Sequence, residues 1–501
     1  MKKSLITLAL AAALSAPAFA AEQYLVRVPA NVNLSAAAPE TPSEPLSVVL
    51  SPEALPAATV NEPYSFNLAD RLSITGGTGS YNLGDVAWSL KTGDALPPGL
   101  ALENGTIAGT PTTKNETGTS FEVTGSYQDA SGQQVYTIVV DGAVMKALKI
   151  STGFNFSCAV TLEGAAKCWG SNTYGSIGDG TTTSSMTPVQ VAGLESGVQD
   201  IDTGEYHACA LTASGGVKCW GGSNIYGEIG DGGAIQLRLT PRTVYGLETG
   251  VKAISLGGNH SCALMDSGQI RCWGRDSQGQ LGNDAEMVDK PIPVAVSGIS
   301  GARAISSGGS FSCAITNTGS MKCWGSNSHG QLGNGSTTKS ALPVNVAGLT
   351  SGVTDISSGG AHACAIHSGT VKCWGYNYFG QLGDSTKVSR AYPDLVAGLS
   401  AGVSRVYAGT SHSCAVLTGG KLMCWGNDQN YQLGDDMNRT NPAVPVDVMT
   451  LNADVTFVSA GENSTCAIKS NHETLCWGSN LNGVLGNGTT DTSHYPTDVL
   501  P

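Results

Sequence analysis

The sequence predicts an all-β protein that is built mainly from a repeated unit. Only 13% of the 501 residues are charged and 66 are glycine, and short apolar runs bounded by glycine are typical of β-strands. All fourteen cysteines fall into seven pairs, and the first cysteine of each pair recurs every 50 to 53 residues. A fixed period of this size indicates a repeat architecture.

The repeat array occupies residues 146–501. One unit, at 198–247, offers four candidate strands: 198–202, 208–212, 217–220 and 242–245. Four short strands in about 50 residues are typical of one blade of a β-propeller, so seven units predict a seven-bladed β-propeller. A linear β-solenoid is the alternative. Its repeats are usually shorter and its ends need distinct caps, whereas the first and last units here resemble the others.

Each cysteine pair is predicted to form a disulfide across one β-hairpin. Nine residues separate the cysteines in six units, which leaves a three-residue loop with Gly164 at its left-handed position in the first unit. The fifth unit has only eight, and the deletion falls in the turn at Ser368, so the cysteines stay opposed. A disulfide requires that register and a metal site does not. Zinc ligation and reduced structural thiols are the alternatives. The predicted pairs are Cys158–Cys168, Cys209–Cys219, Cys262–Cys272, Cys313–Cys323, Cys364–Cys373, Cys414–Cys424 and Cys466–Cys476.

The first 20 residues are predicted to be a cleaved signal peptide. Two lysines precede an apolar run at 5–14, and an A-x-A site ends at Ala20. Residues 21–45, rich in Ala, Pro and Ser, are predicted to contain a short strand and a linker. No later stretch is long and apolar enough for a membrane helix. We therefore expect a secreted or periplasmic protein that is not inserted in a membrane.

Residues 46–143 contain no cysteine and are predicted to form a small β-sandwich. Candidate strands lie at 46–50, 64–68, 121–127 and 136–140. The string LPPGLALENGTIAGTP (96–111) resembles the immunoglobulin-like domains of bacterial surface proteins. That resemblance implies a spacer or an adhesive module ahead of the propeller.

The repeats resemble those of the regulator of chromosome condensation family. The strings GNHSCALMDSGQIRCWGRDSQGQLG (258–282) and GSFSCAITNTGSMKCWGSNSHGQLGNG (309–335) carry its G-x-x-H, W-G and G-x-L-G elements. The resemblance implies a seven-bladed propeller. The nuclear founding member exchanges nucleotide on a small GTPase and binds chromatin, which does not suit an exported, acidic chain. Other exported members resemble inhibitors that clamp a secreted enzyme.

No constellation of residues predicts catalysis, a metal site or a cofactor, and the chain is expected not to be an enzyme. Four histidines precede a first cysteine by two residues: His207, His260, His362 and His412. A metal-ligand ring is one interpretation, and packing at the start of a strand is the other. The string GLSAG (398–402) matches a nucleophile elbow, but it aligns with linkers of other units and lacks the α/β setting of that motif.

Function is expected to lie in the loops, which vary more than the strands. The residue before each turn glycine changes from unit to unit, and the fifth unit adds two tyrosines. A net charge of −13 without a basic run argues against nucleic acid. We therefore expect a binding or scaffold protein for another protein or a cell-surface polymer; a lectin-like module and an inhibitor of a secreted enzyme are the alternatives. The predicted binding rim is Tyr174, Tyr226, Gln278, His329, Tyr376, Tyr378, Phe379, Asn430 and Asn482.

Overall fold

The computed structural model describes residues 44–77, 80–222, 224–233, 236–283, 286–435 and 440–501. The predicted signal peptide and nearly all of the predicted linker at 21–45 lie outside these residues. The chain divides into two compact units. Of the described residues, the first unit comprises those in 44–58 and 63–140, and the second comprises those in 59–62 and 141–501.

The first unit is a small all-β domain. Its sheets have two, three and four strands, and Phe121, Ile107 and Ile138 are fully or almost fully buried. Two 3₁₀ turns, Leu68–Arg71 and Leu83–Asp85, interrupt the strands. The strands are Ser47–Leu50, Ala58–Thr59, Tyr64–Asn67, Leu72–Thr75, Ala87–Leu90, Leu100–Glu103, Thr106–Gly109, Asn115–Tyr127 and Ala130–Asp141. The immunoglobulin-like prediction is confirmed here, and two of the predicted strands extend further towards the N-terminus than expected.

The described residues of the second unit form seven four-stranded antiparallel sheets, which we number 1 to 7 in chain order. Within each sheet the strands follow one another in sequence, and the first strands pack against those of neighbouring sheets. The first strands are Ala147–Thr152, Val198–Thr203, Val251–Leu256, Ala302–Ser307, Val353–Ser358, Val403–Ala408 and Val455–Ala460. The second strands are Phe156–Thr161, His207–Thr212, His260–Met265, Phe311–Thr316, His362–His367, His412–Leu417 and Ser464–Lys469.

The outer half of each sheet carries the second cysteine and the tryptophan. The third strands are Ala166–Gly170, Val217–Gly221, Ile270–Gly274, Met321–Gly325, Thr370–Gly375, Leu422–Gly426 and Thr474–Gly478. The fourth strands are Ser185–Gln190, Arg238–Thr243, Lys290–Ala295, Ser340–Asn345, Arg390–Leu395, Val446–Asp447 and Ser493–Asp498. A 3₁₀ turn, Leu481–Gly483, lies in the last unit.

The fourth strand of sheet 2 begins earlier than predicted. The prediction placed it at 242–245, after Pro241, whereas the strand is Arg238–Thr243 and contains that proline. Proline lacks the N–H that a central strand would donate, but an outermost strand has no further neighbour to receive it. The edge position of this strand is therefore what makes Pro241 acceptable.

The cysteines of each pair lie directly opposite each other on the second and third strands. Cys158 pairs in register with Cys168, and the seven pairs, all disulfide-bonded, have Cα–Cα distances of 4.0–4.1 Å. In sheet 5 the loop is Ser368 and Gly369, and both have positive φ, as a two-residue hairpin requires. In sheet 7 the left-handed residue of the hairpin loop is His472 (φ 70°).

Successive sheets are joined by their buried tryptophans. Each indole Nε1 donates to a backbone carbonyl of the preceding sheet's unit, at 2.8–3.0 Å. Trp220, for example, donates to Ser176 O and packs into a core shared with sheet 1. All seven indoles are fully buried. The repeated tryptophans are therefore structural, and they form the joints of the ring.

Sheets 7 and 1 close the ring without sharing a strand. Trp169 of sheet 1 donates to Val484 O, as its counterparts do elsewhere. Met145 donates its N–H to Val499 O and accepts from Thr474 N–H, at 2.8 and 3.0 Å. In the linker between sheets 1 and 2, Leu194 O accepts the corresponding hydrogen bond from the N–H of Ala166. Met145 thus takes the place of a linker leucine at the closure.

Candidate functional site

One end of the ring carries two sets of loops. Because each sheet is an antiparallel meander, the loop between its first and second strands and the loop between its third and fourth strands emerge at the same end. We call this end the loop face. The first set comprises residues 153–155, 204–206, 257–259, 308–310, 359–361, 409–411 and 461–463. The disulfide hairpins and the linkers between sheets lie at the opposite end.

A cavity of about 550 Å³ opens at the centre of the loop face. Each loop of the first set contributes a glycine to its wall, such as Gly204, Gly308 and Gly359. The ionisable side chains that line it are Glu205, Arg275, His329 and Glu462. A volume of this size is typical of ligand pockets. We call it the axial cavity.

Two glutamates in the axial cavity influence each other. Burial, with a further contribution from the charge of Glu205, raises the pKa of Glu462 to about 7. Glu205 accepts a hydrogen bond of 3.0 Å from Asn259 Nδ2. Within the described residues, the Oε2 atom of Glu462 is buried and has no hydrogen-bond partner. The two acidic groups on this side of the cavity therefore disfavour each other's negative charge.

Aromatic rings adjoin the glutamates. The ring of Tyr206 lies 5.5 Å from that of Phe154 and 4.7 Å from that of Tyr174, measured between centroids. Burial, followed by the neighbouring Glu205, raises the pKa of Tyr206 to about 12. Phe154 lines the axial cavity itself. The three rings thus extend from the cavity to the predicted rim at Tyr174.

A second aromatic group lies around the loop of sheet 5. His329 lines the axial cavity and its ring is 4.7 Å from that of Tyr376. The rings of Tyr376 and Tyr378 are stacked at 6.4 Å, and Tyr378 meets Phe379 edge-on at 5.1 Å. Tyr378 is 66% exposed. Four predicted rim residues are thus brought together, and they form a continuous surface that reaches the cavity.

The remaining rim residues are dispersed on the loop face. The guanidinium of Arg275 lies 4.8 Å above the ring of Tyr226. Gln278 donates its backbone N–H to Gln280 Oε1 at 2.8 Å. Asn430 donates its side-chain amide to Asn463 Oδ1 at 3.0 Å, and Asn482 is exposed. These residues do not join the two aromatic groups.

Sequence reasoning missed both glutamates and Phe154. They occupy the first variable position of the G-x-x-H element, where the other sheets have Gly258, Gly309, Gly360 and Thr410. A comparison of the units at this position would have found them. The approach of Glu462 to the other two depends on the ring, because sheet 7 becomes a neighbour of sheet 1 only through its closure.

The four singled-out histidines are far from the solvent and bridge neighbouring sheets. His260 Nε2 lies 2.8 Å from Ser312 Oγ, and the other three make the same contact with Ser or Thr at 2.8–2.9 Å. Burial lowers their pKa values to about 3 or 4. Over the described residues, no group of three or more His, Cys, Asp or Glu side chains is placed to hold a metal ion. The histidines are joints between sheets.

The GLSAG string lies away from the loop face. It belongs to the linker between Arg390–Leu395 and Val403–Ala408, where Leu399 is buried and Ser400 is exposed.

In the part of the chain that the structure describes, no helix combines the length and hydropathy of a membrane span.

The closed set of four-stranded sheets, each carrying the same Trp-to-carbonyl joint, defines a repeat β-propeller. Residues 222–500 match the family model "RCC1-like domain", and 148–176, 163–211 and 198–228 match models of the regulator of chromosome condensation (RCC1) repeat. The chain therefore belongs to the RCC1-like propeller family. Residues 46–141 match the model "Putative Ig domain".

Similar proteins cover different shares of the chain. E3 ubiquitin-protein ligase HERC2 of Homo sapiens is 33% identical over 185 residues, which are 36% of this chain and 4% of HERC2. The ultraviolet-B receptor UVR8 of Arabidopsis thaliana is 31% identical over 194 residues, which are 38% of this chain and 43% of the receptor. The crystal structure of Prp20p from Saccharomyces cerevisiae has a TM-score of 0.58 at 20% identity, covers 72% of this chain and 88% of its own, and shows a shared fold. The chain thus spans less than half the length of both of these sequence relatives.

The prediction that the chain is not an enzyme was based on its lack of catalytic motifs, and it is wrong. Its relatives include HERC2, which is an E3 ubiquitin-protein ligase. The match covers 4% of that protein, so a segment similar to this propeller occurs within an enzyme. The lack of such a motif in this chain therefore does not exclude catalysis.

Proposed function

We propose that this protein is an exported propeller that binds another protein through its loop face. The observation that carries the proposal is the exposed aromatic surface of Tyr378, Phe379, Tyr376 and His329, which is continuous with the axial cavity. Exposed tyrosines beside a cavity are typical of protein-binding surfaces. Among the structural relatives, Prp20p of Saccharomyces cerevisiae has binding properties towards Gsp1p and histones.

Export is supported by the cysteines. All fourteen lie in disulfides within the hairpins, and the described residues contain no free cysteine. Disulfides persist in oxidising compartments and are rare in the cytosol. Mass mapping of the protein isolated from its native cells is expected to find seven intact hairpin disulfides. Free thiols in that material would contradict export.

The binding surface can be tested with two matched tyrosines. Tyr378 on the loop face is 66% exposed, and Tyr245 in a linker at the opposite end is 65% exposed. A photo-crosslinking residue placed at 378 is expected to capture a protein in the native cells, while the same residue at 245 captures none. Tyr378→Ala is expected to reduce recovery of that protein, and Tyr245→Ala to leave it unchanged.

The outcomes separate the candidate partners. Equal capture from both positions, or none from 378, would contradict a partner on the loop face. A carbohydrate adduct at 378 would instead support the lectin-like alternative. A captured secreted enzyme whose activity falls on binding would identify the protein as an inhibitor, which is one form of the proposed function.

A further inference from the structure

The axial cavity has two chemically different halves. The half formed by sheets 7, 1 and 2 presents Glu462, Phe154 and Glu205. The half formed by sheets 4 to 6 presents small residues at the same loop position, Gly309, Gly360 and Thr410. The acidic side chains and Phe154 are therefore concentrated on one wall, whereas His329 lines the other.

The two carboxylates on that wall lack a compensating cation. Within the described residues neither forms an ion pair, and Glu462 Oε2 is buried without a hydrogen-bond partner. Arg275 also lines the cavity, but it stacks on Tyr226 and donates to Ser277 Oγ at 3.1 Å. Like charges that share a partly buried site destabilise each other. An incoming cation would relieve that repulsion.

The aromatic rings suit the same kind of ligand. Phe154 lines the cavity, and Tyr206 and Tyr174 extend the aromatic wall outwards from it. A cation is attracted to the face of an aromatic ring, and its alkyl stem packs against the ring. Carboxylates and aromatic rings on one wall together match a side chain with an apolar stem and a charged tip.

We propose that the axial cavity binds a lysine or arginine side chain of the partner protein, with its charged group beside Glu205 and Glu462. This inference rests on the proposed function, because the side chain belongs to the protein held on the loop face. The carboxylates supply the charge, and Phe154 supplies the surface for the stem.

The test uses two peptides that differ in one charge. Acetyl-Gly-Lys-Gly-amide and the same peptide with Nε-acetyl-lysine are titrated against the full-length protein by ligand-observed NMR. The charged peptide is expected to bind at least about tenfold more tightly than the neutral one, since loss of one well-placed charge contact costs about a factor of ten. Glu205→Gln and Glu462→Gln are each expected to weaken binding of the charged peptide by about tenfold.

Glu248→Gln provides the matched control. Glu248 is exposed in a linker at the opposite end of the ring, so this variant is expected to bind both peptides as the wild type does. Equal binding of the two peptides, or unchanged binding in both cavity variants, would overturn the proposal. If crosslinking from position 378 persists although both peptides bind equally, the loop-face function stands without the cation site. If the charged peptide binds more tightly but position 378 captures no protein, the cation site stands and a partner on the loop face is contradicted.

Discussion

His260 Nε2 lies 2.8 Å from Ser312 Oγ of the next sheet, and that hydroxyl donates its own hydrogen to Gln280 O at 3.2 Å. Since a serine has a single hydroxyl hydrogen, the histidine is the donor and carries its proton on Nε2. Where a sheet has phenylalanine in place of this histidine, the facing residue is alanine: Phe156 packs with Ala208 and Phe311 with Ala363. Polarity is thus matched across each of these joints.

This matching predicts the outcome of a double exchange. His260→Phe alone is expected to destabilise the protein by about 1–2 kcal/mol, because Ser312 loses a hydrogen bond in a buried site. Adding Ser312→Ala recreates the pair found at Phe311 and Ala363, and is expected to recover most of the loss. Urea unfolding of the wild type, both single variants and the double variant measures the coupling. Strictly additive effects would show that the two residues do not form a unit.

The buried histidines also predict a pH dependence. The folded pKa values of His207, His260, His362 and His412 are about 3 to 4 because of burial, against a usual value of about 6.5. Below pH 6.5 the unfolded chain therefore binds more protons than the folded one, and the free energy of unfolding decreases as pH falls. Urea unfolding between pH 7.5 and 5 is expected to show this loss.

Carboxyls whose pKa is raised by burial oppose that trend, among them Asp200, Glu228 and Asp355, so the comparison must be between variants. Burial raises the folded pKa of Asp202 to about 6 and, with the charge of Glu205, that of Glu462 to about 7; these groups favour the folded state as pH falls towards their unfolded values. The double variant at His260 and Ser312 removes one titrating histidine and none of these carboxyls. Its stability is expected to fall less between pH 7.5 and 5 than that of the wild type. Identical slopes would contradict the assignment.

Removal of one disulfide is expected to have a limited, local effect. Each bridge closes a loop of about ten residues, for which chain entropy predicts at most about 3 kcal/mol. Replacing Cys209 and Cys219 together by alanine is expected to lower the free energy of unfolding by about 1–3 kcal/mol. Mass mapping is expected to find the six other bridges unchanged, since each lies within its own hairpin. Rearranged bridges would contradict this independence.

The closure of the ring can be compared with an ordinary linker. Met145 and Leu194 occupy equivalent places, and both are nearly fully buried. Met145→Ala and Leu194→Ala are each expected to cost about 2–4 kcal/mol through the cavity they create. Hydrogen exchange is expected to accelerate first in sheets 7 and 1 for Met145→Ala, and in sheets 1 and 2 for Leu194→Ala. Uniform acceleration in both would contradict a local role.

The repeat pattern was sufficient to predict the sheets, because period, glycine positions and cysteine spacing are local properties of the chain. The deletion in the turn at Ser368 even predicted the register of Cys364 and Cys373. The site was predicted only in part. Tyr378 and its neighbours lie close in sequence, whereas Glu205 and Glu462 are more than 250 residues apart and meet only because the ring closes.

The equivalence of Met145 and Leu194 has a consequence for engineering. Between sheets 7 and 1, hydrogen bonds among Met145, Val499 and Thr474 take the place of a covalent linker. The peptide connection is therefore dispensable at that joint and, by symmetry, at the other joints. A circular permutant of the propeller would begin in the linker after Val191, and its last unit would be joined to Met145 by a new peptide linker. We expect this permutant to fold. Its axial cavity would be unchanged, because no loop on that side is cut or joined.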